Sequence, residues 1–227
     1  MKPTHLSVLS IASVLAVATA QGAAIFAPGD AVVGGAVVGS DFVAGVAGTA
    51  ADTNNWPANE SPNHAIDGVG QKYLNFKDVN SGVLITPSFN GGGGSIVTGM
   101  TLWAANDAVE RDPASYELYG TNAAIGAGPY PLAGFTLISS GALALPASRN
   151  AGGGAALDIN NSQTVAFGNS SSYSSYLVLF PTVKNAGAAN SMQIAEIQLD
   201  GVVPEPATAG LAALSLGAFA MRRCRKV

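Results

Sequence analysis

Short apolar runs, set apart by clusters of glycine, serine, asparagine and proline, occupy the middle of the chain. Strands are predicted at 82–86 (GVLIT), 96–105 (IVTGMTLWAA), 115–120 (SYELYG), 135–139 (FTLIS), 164–167, 175–180 (SYLVLF) and 193–199 (QIAEIQL). Several alternate with period two: Tyr116 and Leu118 share one face, while Ala195, Ile197 and Leu199 share another and leave Glu196 turned away from it. Seven or more short strands joined by turns predict an all-β, antiparallel β-sandwich rather than a parallel sheet with crossover helices. A single helical turn is expected around Ser61 to Ala65. Segment 30–51, mostly glycine, alanine and valine, reads as edge strands and loops.

The two ends carry a different pattern. Residues 1–20, MKPTHLSVLSIASVLAVATA, place Lys2 before an apolar stretch that ends in Ala18-Thr19-Ala20, the pattern of a secretory signal peptide, with a buried N-terminal helix as the alternative. Residues 207–221 form 15 uncharged positions followed by a basic stop of Arg222, Arg223, Arg225 and Lys226. That run is shorter than the roughly 20 residues of an ordinary membrane helix. Positive charge behind it sets the orientation of a stop-transfer segment, with 222–227 cytoplasmic. It reads either as a short transmembrane helix held temporarily or as a permanent thin anchor. Pro204 and Pro206 keep the preceding linker, 202–206, extended. The expected order is therefore a signal peptide, a short lead at 21–29, one sandwich at 30–201, the linker, the membrane helix and the tail.

Charge narrows the choice of partner. Between residues 21 and 203 there are five basic residues (Lys72, Lys77, Arg111, Arg149, Lys184) and thirteen acidic ones, a net charge of −8 against −4 for the whole chain. Nucleic acid and anionic membrane surfaces need clustered Lys and Arg, so neither suits this body. The lone cysteine, Cys224, sits in the tail, so the sandwich holds together by core burial or by a metal rather than by disulfides.

Little in the body suggests catalysis. The glycine run 91–94 has no Gly-Lys-Ser/Thr and reads as a turn between strands. Asn59, Asn160 and Asn169 open glycosylation-type triplets that arise easily by chance in so Asn- and Ser-rich a chain. Residues 21–203 hold one histidine, His64, and no G-x-S-x-G elbow, so a Ser-His-Asp triad would have to use that histidine by accident of folding, and metal sites built on His and Cys pairs are excluded there. Oxygen ligands remain. Asp67 lies in an Asp-Gly turn and Glu196 on a late strand; carboxylates from distant segments, with turn carbonyls, suit a hard cation such as calcium. The alternative is that Asp67 caps a turn and Glu196 is solvated. For a hydroxyl-rich ligand, Trp56 in TNNWPANESP offers an aromatic face among loop-forming residues, with Asn54, Asn55 and Glu60 as hydrogen-bonding partners. The same residues fit a plain turn, and Trp103, inside an apolar strand, reads as core.

Two resemblances add to this reading. Val203-Pro204-Glu205-Pro206, the small-residue apolar run and the Arg-rich end together resemble the PEP-CTERM sorting signal of bacterial surface proteins. That resemblance implies processing by an exosortase-type enzyme, an inner-membrane intermediate, delivery to the cell surface or extracellular matrix, and a setting of exopolysaccharide production. NHAIDGVGQKYLNF, GMTLWAANDAVERDPASYELYGTN and IAEIQLDG resemble the discoidin or F5/8 type C family of galactose-binding-like jelly-roll domains, found among carbohydrate-binding modules. This second resemblance implies a structural calcium held by the Asp67 side chain, the backbone oxygens of Ala65 and Gln71, the Ala195 carbonyl and the Glu196 carboxylate. The turn is one residue shorter than the family pattern, and Gln71 stands where a threonine often lies. The function implied is non-enzymatic binding of polysaccharide or other glycans; the alternative is a structural matrix or biofilm protein with no saccharide site.

Overall fold

The computed structural model describes residues 22–88 and 93–203; the expected signal peptide, PEP motif, membrane helix and basic tail, with residues 91 and 92 of the glycine run, lie outside the described residues. In chain order the strands are β1 (Ala23–Ala24), β2 (Ala31–Val38), β3 (Asp41–Ala44), β4 (Val46–Ala47), β5 (Asn55–Trp56), β6 (Tyr73–Asn75), β7 (Ser81–Thr86) and β8 (Ile96–Trp103). There follow β9 (Ser115–Thr121), β10 (Tyr130–Pro131), β11 (Thr136–Ala142), β12 (Ser162–Ala166), β13 (Ser175–Phe180), β14 (Met192–Ile194) and β15 (Glu196–Val202). An antiparallel sheet ordered β1-β15-β8-β12 packs on a second, ordered β10-β3-β2-β7-β13-β9-β11, so the chain is an all-β antiparallel sandwich. Helical structure among the described residues is confined to single 3-10 turns such as Pro62–Ala65, where the sequence predicts one.

The main core lies between the sheets. Met100, Leu102, Ile197 and Leu199 of the smaller sheet meet Val83, Ile85, Leu118, Tyr176, Val178 and Phe180 of the larger one. A second apolar layer covers the other face of the larger sheet. There Phe42, Leu84, Leu177 and Leu179 pack under Tyr130, Ile125 and Phe135 of the segment joining β9 to β11. Burial on both faces explains why SYLVLF is an unbroken apolar run rather than an alternating one.

Three expectations are corrected by the fold. Segment 30–51 contains the expected loops, but its main strands are not edges: β2 lies between β3 and β7, and β3 between β10 and β2. Its small residues are required by close approach, because a Cβ on Gly34 would overlap the Pro62 ring and one on Gly35 the Val43 carbonyl oxygen. The strand predicted at 193–199 is two strands. Met192–Ile194 pairs with β6, and after Ala195 the chain changes partner, so that Glu196–Val202 pairs with β8. The lead 21–29 is part of the sandwich, since Ala23 and Ala24 pair with β15, the Ile25 amide donates to the Leu199 carbonyl at 2.8 Å, and Ile25 is buried in the main core.

Candidate functional site

The Asp67-Gly68 turn and the start of β15 meet at one end of the sandwich. The chain leaves the Pro62–Ala65 turn through Ile66 and bends at Gly68, whose φ of +78° favours a residue without a Cβ. Asp67 Oδ1 accepts the Val69 amide at 3.1 Å, closing an Asx-type turn, and His64 Nδ1 donates to Asp67 Oδ2 at 2.6 Å. Gly68 donates its amide to Glu196 Oε2 at 3.1 Å. Asp67 therefore does cap its turn, but Glu196 is not solvated: it is 7% exposed, with Trp103 as its cross-strand neighbour.

Electrostatics at this end are unbalanced. Burial outweighs the stabilising backbone N–H groups of Gly68 and Asp67 and, together with the nearby Asp67 charge, pushes the Glu196 carboxyl up to about 8. Among the described residues, no Lys or Arg pairs with either carboxylate. Two acidic groups beside buried backbone at Ala65 and Ala195 make an oxygen-rich set, the chemistry a hard cation takes. Among the described residues there is no group of three His, Cys, Asp or Glu side chains, so main-chain oxygens would have to complete any coordination shell. The Ala195 amide donates to the Trp103 carbonyl at 3.0 Å, which pins that stretch of backbone. The Gln71 side chain ties two loops, donating through Nε2 to the Asn59 carbonyl and accepting the Gly153 amide at 3.1 Å through Oε1.

The residues expected to face a saccharide also converge, but most of their polar atoms hold the fold. Trp56 is half-buried and meets Tyr73 edge-on, with ring centroids 5.9 Å apart at 69°. Asn54 Nδ2 donates to the Val43 carbonyl at 2.8 Å, while its Oδ1 accepts from Asn75 Nδ2 at 3.0 Å. Asn55 is buried and donates to Thr53 Oγ1. Glu60 lies 3.6 Å from Lys72 Nζ, which also donates to Asp107 Oδ2 at 2.7 Å. Trp103 is buried, in keeping with its reading as core.

Two features escaped sequence reasoning. Asp112 is fully buried and receives both Arg149 nitrogens, at 2.7 and 2.8 Å, together with Lys184 Nζ at 2.9 Å. Nothing in the sequence around Asp112 named partners 37 and 72 residues away. A cavity of about 210 Å³ also opens under the segment joining β9 to β11, lined by Thr121, Ile125, Pro129, Tyr130 and Phe135. Its hydroxyls are already committed, Thr121 Oγ1 to the Gly134 carbonyl and Tyr130 Oη to the Gly126 carbonyl, each at 2.9 Å.

Comparison with known proteins identifies the C-terminal signal. Residues 202–226 match the PEP-CTERM protein-sorting motif, which marks an exported protein sorted by way of the membrane. No curated protein matches the chain. Among solved structures, the chain is similar to the family 32 carbohydrate-binding module of Clostridium perfringens NanJ in complex with galactose, at 14% identity over 63% of this chain and 86% of that one, TM-score 0.43. It is similar also to the family 32 carbohydrate-binding module of Streptococcus pneumoniae EndoD, at 11% identity over 78% and 98%, TM-score 0.47. A Streptococcus pneumoniae fucose-binding module is similar at 12% identity over 80% and 96%, TM-score 0.45.

Proposed function

We propose that the protein is a non-enzymatic binding module displayed at the cell envelope, with polysaccharide or a related glycan as its ligand and calcium as a structural ion between Asp67 and Glu196. The observation that carries this reading is the Gly68–Glu196 contact, because it joins two of the three segments on which the discoidin-like resemblance rests. The sorting motif supplies the setting: β15 ends at Val202, where the motif begins, so only the short linker expected at 202–206 separates the sandwich from the apolar run. Display would put the Glu196 end of β15 away from the tether. Processing by an exosortase-type enzyme and a final place on the surface or in the matrix complete the proposal.

A structural matrix protein without a saccharide site is the second reading. It is favoured by the engagement of Asn54, Asn55 and Glu60 in bonds within the fold. A glycan array probed with residues 21–203, with and without calcium, separates the two. Binding that is lost in Trp56→Ala while the variant stays folded supports recognition; silence in both states supports the structural role.

A further inference from the structure

A negatively charged protein can meet its own copy cheaply only where it carries no charge, and this sandwich reserves one flank for that condition. No charged residue occurs in 118–148 or in 159–183. These stretches supply β11 and β12, the terminal strands of the two sheets, and the Ala144 amide bonds Gln163 Oε1 at 2.6 Å to join the two edges. The flank is neutral although the body carries −8.

The four sheet edges are not equally guarded. β10 is two residues long and contains Pro131, β1 is two residues long, and β12 is five. Short strands and proline are the usual protection against pairing with another chain. β11 is seven residues, TLISSGA, with neither charge nor proline, and Leu137 on it is 51% exposed. Beyond the ladder with β9, no backbone group of β11 has a partner among the described residues. Its register irregularity falls between Leu137 and Ser139, so Ser139 to Ala142 remains a regular, open edge.

We propose that β11 pairs with β11 of a second copy of this chain, antiparallel about a two-fold axis, to make one continuous sheet across two sandwiches. An isologous pair needs no other partner, because the same edge supplies both faces of the contact. The nearest carboxylate is Glu117, opposite Ser140 on β9 and bonded to Tyr119 Oη at 2.7 Å. In the pair, the two Glu117 strands are three strand spacings apart, about 14 Å. That exceeds the screening length of about 8 Å at physiological salt. The pairing stands whether or not the sandwich binds a glycan, and it would link tethered copies side by side.

Cysteine cross-linking of the full chain in membranes tests it. In a Cys224→Ser background, Ser140→Cys and Ala142→Cys are each oxidised and compared with Val46→Cys, which is 68% exposed but remote from β11. At least one edge cysteine is expected to give tenfold more linked dimer than Val46→Cys. Leu137→Lys together with Ala142→Lys, both at exposed positions, should return the Ser140→Cys product to the control level, read on the protease-resistant folded fraction. Edge cysteines that link no better than Val46→Cys overturn the proposal. So does linking that the lysines leave unchanged.

Discussion

Glu196 accepts the Gly68 amide at 3.1 Å across 128 residues of chain, and that one bond holds two carboxylates together where neither has a Lys or Arg partner among the described residues. A site so arranged is costly when both groups are ionised and nothing positive lies between them.

The cost has a sign in pH. With its carboxyl raised from 4.5 to about 8, Glu196 keeps its proton in the folded state while the unfolded chain has already released it. The stability it contributes is complete below pH 4.5 and is lost as pH rises towards 8. In chelator, the melting temperature of residues 21–203 should therefore fall between those limits, and Glu196→Gln should flatten the slope. Calcium should raise the melting temperature most at pH 8, where the carboxylate is available to it. A thermal scan unaffected by calcium and by chelator would rule out the cation site.

The buried charge cluster on Asp112 predicts a larger effect. Asp112→Ala strands Arg149 and Lys184 beside an uncharged, closed position, which should cost about 3–5 kcal/mol. Urea denaturation of the variant measures it directly. Lys184→Met, which leaves the bidentate Arg149 pair intact, should cost less.

Two glycine substitutions make a contrast. A Cβ on Gly70 would overlap the Ala151 carbonyl oxygen, so Gly70→Ala must push the 151–155 loop away, at about 1–3 kcal/mol. Gly134→Ala meets nothing within 4 Å and should change stability by no more than about 0.5 kcal/mol. Paired melting curves check both.

Export is tested by fusion. A reporter that works only outside the cytoplasm, joined after Val203, should be active, and replacing Arg222, Arg223, Arg225 and Lys226 with glutamine should reduce correct sorting. Activity of a cytoplasm-only reporter at the same junction would remove the surface role.

Much of the architecture was legible because strands announce themselves locally. SYLVLF and GVLIT fall within or on observed strands, and the Ser61 to Ala65 turn appears as Pro62–Ala65. The misreadings share a cause. Segment 30–51 is made of small residues with no strong alternation, and only the neighbouring Pro62 ring and Val43 carbonyl show why smallness is required of an interior strand. Ala195 gave no sign of a break, because a change of pairing partner leaves no mark on the side-chain pattern. For the candidate site, Asp67 and Glu196 could be picked out as residue types, but the orientation of Trp56 against Tyr73 and the commitments of Asn54 and Asn55 could not.

By itself, the order of residues determined the strand-rich class and the C-terminal sorting signal, since both are written in short contiguous patterns of apolarity, proline and charge. Tertiary structure alone decided which acids share a site, which aspartate two distant cations neutralise, and which strand ends with an open, uncharged edge. Those outcomes depend on sheet order and register, which join positions tens to more than a hundred residues apart and so cannot be read from any one stretch.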